Sequence, residues 1–418
     1  MKKIWLINQY AMPPQYESRI QTLKRAQYLK EFGYDVTIIS GSYLHNTDIN
    51  LINDNRNYTN VDYDGIKFIH IKTCNYRGNG LKRIFNNLEF PIRLFHTAKY
   101  FDKPDIIVHT ATVPFGNLLY YLAKKIRAKY VVEVLDLWPE SFVAFGVISK
   151  NNPALIFAYW AERWLYKKAD SLVFSVEGGK EYIRDKKWDT DSGGVVELNK
   201  VHYINNGVDL YDFEKNKYLY KINDIDLENE NIFKVTYLGS IRLANDLKQL
   251  IDAAELLVNY KNIQFLIYGD GDDRSFLEDY CKSNNIVNVK FKQKWIDPKY
   301  VPYVLSKSSL NILNYKKNTL TKYGGSQSKS FQYMASGKPI CANIKRNYCP
   351  ITKYNIGIAK DYENADEYAN AILLFACLPL GEYAELCKNA RNAAEEYDYK
   401  KLTSDFEIIL KKILKNEV

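Results

Sequence analysis

Short apolar runs alternate with helical patterns along nearly the whole chain, and that alternation restricts the fold to βαβ units on mainly parallel sheets. The first unit shows how it works. Ile4 to Ile7 reads as a buried strand, and Met12-Pro13-Pro14 as a loop. Leu23, Ala26 and Leu29 then share one face of a helix that stops at Gly33, and Val36 to Ile39 resumes the sheet. Further strands are predicted at Ile66–Ile71, Ile106–His109, Tyr130–Leu135, Ser171–Ser175 and Val201–Ile204. The segment from Leu44 to Asp64 is polar and rich in Asn and Asp, and reads as an exposed loop or arm.

A second series begins at Phe233, after the turn dipeptide Asn206-Gly207 and a charged, Tyr-rich stretch. Its strands are predicted at Val235–Leu238, Phe265–Tyr268, Val289–Phe291, Leu310–Leu313 and Pro339–Ala342. Leu247, Leu250, Ile251, Ala254 and Leu257 mark a helix between the first two, and another opens near Ser328. At 418 residues the chain exceeds what one core usually organises. The expected division is residues 1–210, 211–400 and a terminal helix over 401–418 that could pack back on the first domain.

The opening apolar run Ile4-Trp5-Leu6-Ile7 stops at Asn8-Gln9, far short of a signal core, and no later stretch is apolar for long enough to span a bilayer. The six cysteines include no Cys-x-x-Cys pair, which fits reduced thiols in a cytosol and argues against structural zinc. The net charge of +9 suits an anionic partner without choosing among nucleic acid, lipid surface and diphosphate. With no recognisable nucleic-acid module, nucleic-acid binding is not expected.

Ligands of open parallel sheets bind beyond the carboxyl ends of the strands. Gly239-Ser240-Ile241-Arg242 follows a predicted strand, so Gly239 permits close backbone approach and Arg242 can neutralise an oxyanion; an ordinary strand-to-helix turn reads the same way. The run from Gly324 to Ile340 says more. Small residues lead into a helix whose first turn carries Ser328 and Lys329, so orphan N–H groups, the helix dipole and an ammonium converge on one anion-sized spot. Gln332, one turn later, presents an amide to a ligand hydroxyl, or simply lies on a solvated face.

These segments, in this order, resemble the retaining glycosyltransferases of family 4, with the GT-B fold, especially the bacterial branch that builds surface polysaccharides. Ser328-Lys329 through Gln332-Tyr333-Met334-Ala335-Ser336-Gly337-Lys338-Pro339-Ile340 looks like the family's donor-binding helix. Asp136-Leu137-Trp138-Pro139-Glu140-Ser141, Asn206-Gly207-Val208-Asp209, Gly239 to Asn245 and Tyr268-Gly269-Asp270-Gly271 add to the likeness. The resemblance implies two Rossmann-like domains facing across a cleft, the second holding the nucleotide-sugar donor and the first a glycan acceptor. Gly239, Ser240, Arg242, Ser328, Lys329 and Gln332 would then line the donor, and the loop at Gln293-Lys294-Trp295 would receive the base. Tyr16, Glu17 and Ser18 would form an acceptor-side loop, with His109 and Asp136 as the catalytic residues near the transferred sugar. Read by themselves, His109 is a satisfied strand-end histidine and Asp136 a helix-capping carboxylate.

The chain departs from the family at two places. An acidic residue is usual where Gln332 stands, and often eight positions earlier, where Gly324 stands. An amide accepts ribose hydroxyls less strongly than a carboxylate, at a cost of about 1–2 kcal/mol or a shifted sugar preference. Gly324 also excludes a nucleophile at its position. The mechanism implied is substitution with retention, the departing diphosphate accepting the acceptor's proton while Arg242 and Lys329 stabilise its charge, with no metal or other cofactor. Asp270-Gly271-Asp272-Asp273 resembles a metal-binding cluster but falls in a strand-end glycine turn and reads as structural.

Leu81, Ile84, Phe85 and Leu88 share a helical stripe among Arg77, Lys82, Arg83, Arg93, Lys99 and Lys103. That pattern suits either peripheral contact with an anionic membrane and a polyprenyl-diphosphate-linked acceptor, or a helix packed on its own sheet. UDP is the expected nucleotide, with GDP the alternative, and the expected place is the cytoplasmic side of the cell membrane. A nucleotide-sugar epimerase on the same fold and a non-catalytic donor-binding subunit are the competing readings.

Overall fold

The computed structural model describes residues 1–16, 20–78 and 80–415. The chain forms two compact units, one of Met1–Asn205 together with the chain from Leu402 onward, the other of Asn206–Lys401.

The first unit is built on β1 (Lys3–Ile7), β2 (Asp35–Gly41), β3 (Tyr58–Tyr63), β4 (Ile66–Ile71), β5 (Ile106–Thr110), β6 (Lys129–Val134), β7 (Ser171–Phe174) and β8 (Val201–Tyr203). Across the sheet they run β3-β4-β2-β1-β5-β6-β7-β8. All neighbours are parallel except β3 with β4. The strand order reverses between β1 and β5, so the loops beyond Ile7 and beyond its neighbour His109 flank the switch point where such sheets bind ligands. The central strands are buried on both faces, which is why they read as unbroken apolar runs.

β3 corrects the expectation of an exposed arm over Leu44–Asp64. Its residues alternate between half-buried and exposed because it is an antiparallel edge strand with one face to solvent. Leu44 and Ile52, in the preceding loop, are buried as well. The last helix, Tyr399–Lys415, buries Phe406 and Leu410 in the first unit, where the Arg25 guanidinium lies 4.5 Å from the Phe406 ring centroid and Tyr34 donates to Glu407.

The second unit carries β9 (Phe233–Leu238), β10 (Ile263–Tyr268), β11 (Val289–Phe291), β12 (Leu310–Leu313), β13 (Ile340–Ala342) and β14 (Gly357–Ala359). They form one parallel sheet in the order β11-β10-β9-β12-β13-β14, reversing between β9 and β12. The helix Leu247–Leu256 buries Leu247, Leu250, Ile251 and Ala254 against β9 and β10, the predicted stripe. β14 was not predicted, because a three-residue edge strand over Gly357-Ile358-Ala359 leaves no periodic signal.

The helix Leu81–Thr97 turns the reverse way from a helix packed by its apolar stripe. Leu81, Ile84, Phe85, Leu88 and Ile92 are exposed, while Asn86, Asn87, Phe90 and Leu94 face inward. The asparagines bind the turn after β1: Gln9 Nε2 donates to Asn86 Oδ1 (2.7 Å), and Tyr10 Oη donates to Asn87 Oδ1 (2.8 Å). That rules out packing of the stripe on its own sheet. Among the described residues no single helix is long and apolar enough to cross a membrane.

Candidate functional site

In the second unit the carboxyl ends of β9 and β10 make two glycine turns bonded side by side. Gly239 N–H donates to Tyr268 O (3.0 Å) and Ile241 N–H to Asp270 O (2.9 Å). A Cβ at Gly269 would lie 1.8 Å from the Gly239 carbonyl oxygen, so this turn tolerates only glycine there. The Asp270–Asp273 run therefore belongs to the turn that braces Gly239. Among the described residues no group of three His, Cys, Asp or Glu side chains could hold a metal ion.

The helix Ser328–Ala335 connects β12 to β13 and points its N-terminus toward this turn. Tyr333 fixes it, accepting from Leu238 N–H (3.2 Å) and donating to Leu238 O (3.3 Å). Its N-cap, Gln327, makes no side-chain cap, which leaves first-turn N–H groups for a ligand. Lys329 reaches back so that its ammonium would touch a Cβ on Gly239 at 2.9 Å. Lys329 Nζ donates to Tyr237 Oη (3.2 Å) and lies 4.5 Å from the Tyr237 and 5.1 Å from the Tyr315 ring centroids. Part of the side chain remains accessible, but the ammonium is enclosed. Burial, with Arg346 nearby, pulls its pKa down from 10.5 to about 7. No carboxylate pairs with it among the described residues. One enclosed cation, a helix N-terminus and a glycine turn thus converge, an arrangement chemically able to hold an anion.

Gly239 and Lys329 are thus brought together, with Ser240 beside them: its carbonyl accepts from Tyr237 Oη (2.6 Å) and its hydroxyl bonds Asn245 (3.0 Å). The Arg242 side chain is exposed and makes no hydrogen bond or ion pair among the described residues, while its carbonyl accepts from Asn245 N–H (2.7 Å). Ser328 is exposed at the first helical position, and Gln332 is half-buried one turn on. Lys294 is exposed beyond β11, and the neighbouring Gln293 carbonyl accepts from Gly269 N–H (3.0 Å), which anchors that loop.

In the first unit His109 is 2% exposed. Its Nδ1 bonds Tyr130 Oη (2.7 Å), and its other edge packs where a Cβ on Gly116 would meet it at 2.4 Å. Burial drives its pKa to about 3, so the ring is neutral. Asp136 is exposed after β6 and caps no helix: the next one, Glu140–Ala144, has Pro139 at its N-cap. His109 and Asp136 lie at the ends of adjacent strands without bonding each other. Tyr16 is exposed, while Glu17 and Ser18 lie outside the described residues.

Sequence reasoning missed Tyr237, Tyr315 and Arg346. Arg346 stacks on Tyr315, with Cζ 4.6 Å from the ring centroid, and bonds Gln327 Oε1. The available signal was position: Lys345-Arg346 follows a parallel strand, where ligand loops occur. Also unanticipated is the buried ion pair of Arg25 with Glu133, whose second oxygen accepts from Thr110 Oγ1 (3.1 Å).

Comparison with known proteins agrees with the two-unit α/β fold. Residues 19–198 match the model of a glycosyl transferase 4-like domain, and residues 221–397 match that of the glycosyl transferases group 1. Similar solved structures include sucrose-phosphate synthase from Thermosynechococcus elongatus (15% identity, TM-score 0.71, all of both chains). A glycosyltransferase from Rickettsia africae is 17% identical (TM-score 0.67, 100% of this chain and 99% of that one). Anabaena HepE in complex with UDP-glucose is 14% identical (TM-score 0.65, 99% and 100%). No curated protein matches the chain.

Proposed function

Because the chain belongs to the group 1 glycosyltransferases of the GT-B fold, we propose that it moves a sugar from a UDP-sugar to a lipid-linked glycan with retention and without metal. The observation that carries this reading is the enclosed Lys329 ammonium beside Gly239, a cation awaiting a diphosphate. As the bond from sugar to diphosphate breaks, negative charge grows on the leaving oxygens, and Lys329 and the N–H groups of its helix stabilise it more than the ground state. The leaving oxygen, on the face the acceptor approaches, takes the acceptor's proton. Neutral His109 acts as a positioning residue beneath the 112–117 turn, and Asp136 as an acceptor-side carboxylate.

The exposed stripe of Leu81, Ile84, Phe85, Leu88 and Ile92, with Lys82, Arg83 and Lys99 close in sequence, supports docking on an anionic membrane where such acceptors reside. The six unpaired cysteines suit its cytoplasmic face, in surface-glycan assembly. The test is transfer from a UDP-sugar to a polyprenyl-diphosphate-linked acceptor in EDTA, with the product anomer read by NMR. Retention of the donor's configuration is expected. An inverted product, or activity lost to EDTA, would overturn the mechanism.

A further inference from the structure

Two cations flank the Tyr315 ring, and the diphosphate seat accounts for one. Lys329 lies against Gly239; Arg346 lies against the other end of the glycine-rich segment, where a Cβ on Gly325 would fall 2.3 Å from its Nη1. The guanidinium fills the space a side chain at position 325 would take. Gly324, beside it at φ +95°, has no side chain to offer either. The bond from Nη1 to the neutral Gln327 amide is the only hydrogen bond Arg346 makes among the described residues, and no carboxylate there pairs with it. Arg346 helps line a cavity with Tyr315, Gly325, Gln327, Asn347 and Tyr348. Burial lowers its pKa, as expected where the charge has lost water without gaining an anion.

A neutral sugar is gripped by groups that accept from its hydroxyls. Among the residues lining this cavity Arg346 carries the only charge; the other polar side chains are neutral amides, hydroxyls and a thiol, and no carboxylate stands there to accept from those hydroxyls. With Nη1 held by Gln327, the guanidinium plane is fixed and its remaining N–H groups form a fork, the geometry that matches a planar carboxylate. Building on the donor reading above, we propose that Arg346 recognises a carboxylate on the donor sugar, so that the donor is a nucleotide-linked uronic acid or a similarly acidic sugar.

The test is calorimetric titration of the wild type, Arg346→Gln and Arg346→Lys with UDP, UDP-glucose, UDP-galactose, UDP-glucuronate and UDP-galacturonate. The wild type is expected to bind one uronate about tenfold or more tighter than its neutral counterpart. Arg346→Gln should erase that preference and leave UDP affinity within about twofold, and Arg346→Lys, with charge but no fork, should lose most of it. The melting temperature of Arg346→Gln should equal or exceed that of the wild type, since an unpaired buried charge is removed. Equal loss of UDP and every sugar nucleotide in Arg346→Gln would assign Arg346 to the diphosphate and overturn the proposal, as would a wild-type preference for neutral sugars. Failure of UDP itself to bind the wild type would instead remove the UDP donor reading beneath it.

Discussion

Raising the pH from 6 to 9 should release donor by removing one proton from Lys329. In the free protein its pKa is about 7, held there by burial and by Arg346. A bound diphosphate favours the ammonium, so the complex keeps the proton and binding takes one up above neutrality. About nine-tenths of the free protein is charged at Lys329 at pH 6 and about one-hundredth at pH 9, so affinity should fall about ninetyfold, or about 2.7 kcal/mol. A nucleotide-sugar is the right ligand, because its esterified diphosphate does not titrate in this range. Calorimetry in two buffers of different ionisation heat reads affinity and proton uptake together. Lys329→Gln should bind weakly at pH 6 and show almost no pH dependence. Stability of the free protein moves the opposite way. The unfolded lysine keeps its proton up to about 10.5, so between about pH 7 and 10.5 the unfolded state holds more protons and stability rises with pH. Wild-type affinity that is flat from pH 6 to 9, or a pH dependence surviving in Lys329→Gln, would refute this.

Three further outcomes are expected. Gly269→Ala puts a Cβ 1.8 Å from the Gly239 carbonyl at φ +127° and should cost about 3 kcal/mol in urea unfolding and weaken nucleotide binding; a loss below about 0.5 kcal/mol would contradict the paired-turn description. Glu162, buried and bonded by Tyr166 (2.7 Å) and Tyr182 (2.9 Å), has its pKa pushed up by burial from 4.5 to about 8. The folded state keeps a proton there that the unfolded state releases, so between pH 4.5 and 8 this residue makes stability fall by up to about 1.4 kcal/mol per pH unit. Denaturation of Glu162→Gln across that range should show a flatter profile. Replacing Leu81 and Phe85 by Ser should cut co-sedimentation with anionic vesicles about tenfold or more without changing UDP-sugar affinity; unchanged sedimentation would remove the stripe from the membrane account.

What could be read from the residues followed from burial. Parallel strands covered on both faces announce themselves as apolar runs, as at Ile106–Val108 and Phe265–Tyr268, and the stripe of the helix Leu247–Leu256 marks its packed face. β3 and β14 stayed hidden because edge strands need no apolar run. The helix Leu81–Thr97 showed its amphipathic period but not its orientation, which is set by Asn86 and Asn87 reaching Gln9 and Tyr10. The proposed diphosphate seat was half legible: a strand followed by glycine, and a lysine in a helix's first turn, are local patterns. Tyr237 from β9 and Tyr315 from the loop after β12 enclose Lys329, and Arg346 arrives from the loop after β13, so those neighbours come from topology rather than from any window of sequence.

A thermal-shift titration in EDTA, comparing the wild type with Lys329→Gln against UDP-, GDP-, dTDP- and CMP-sugars, tests the donor seat most directly, since a ligand that binds only the folded state must raise its stability. The account predicts that UDP-sugars raise the wild-type melting temperature in EDTA and that the shift collapses in Lys329→Gln. Absence of a wild-type shift with every nucleotide sugar at saturating concentration, or an equal shift in the variant, would contradict it.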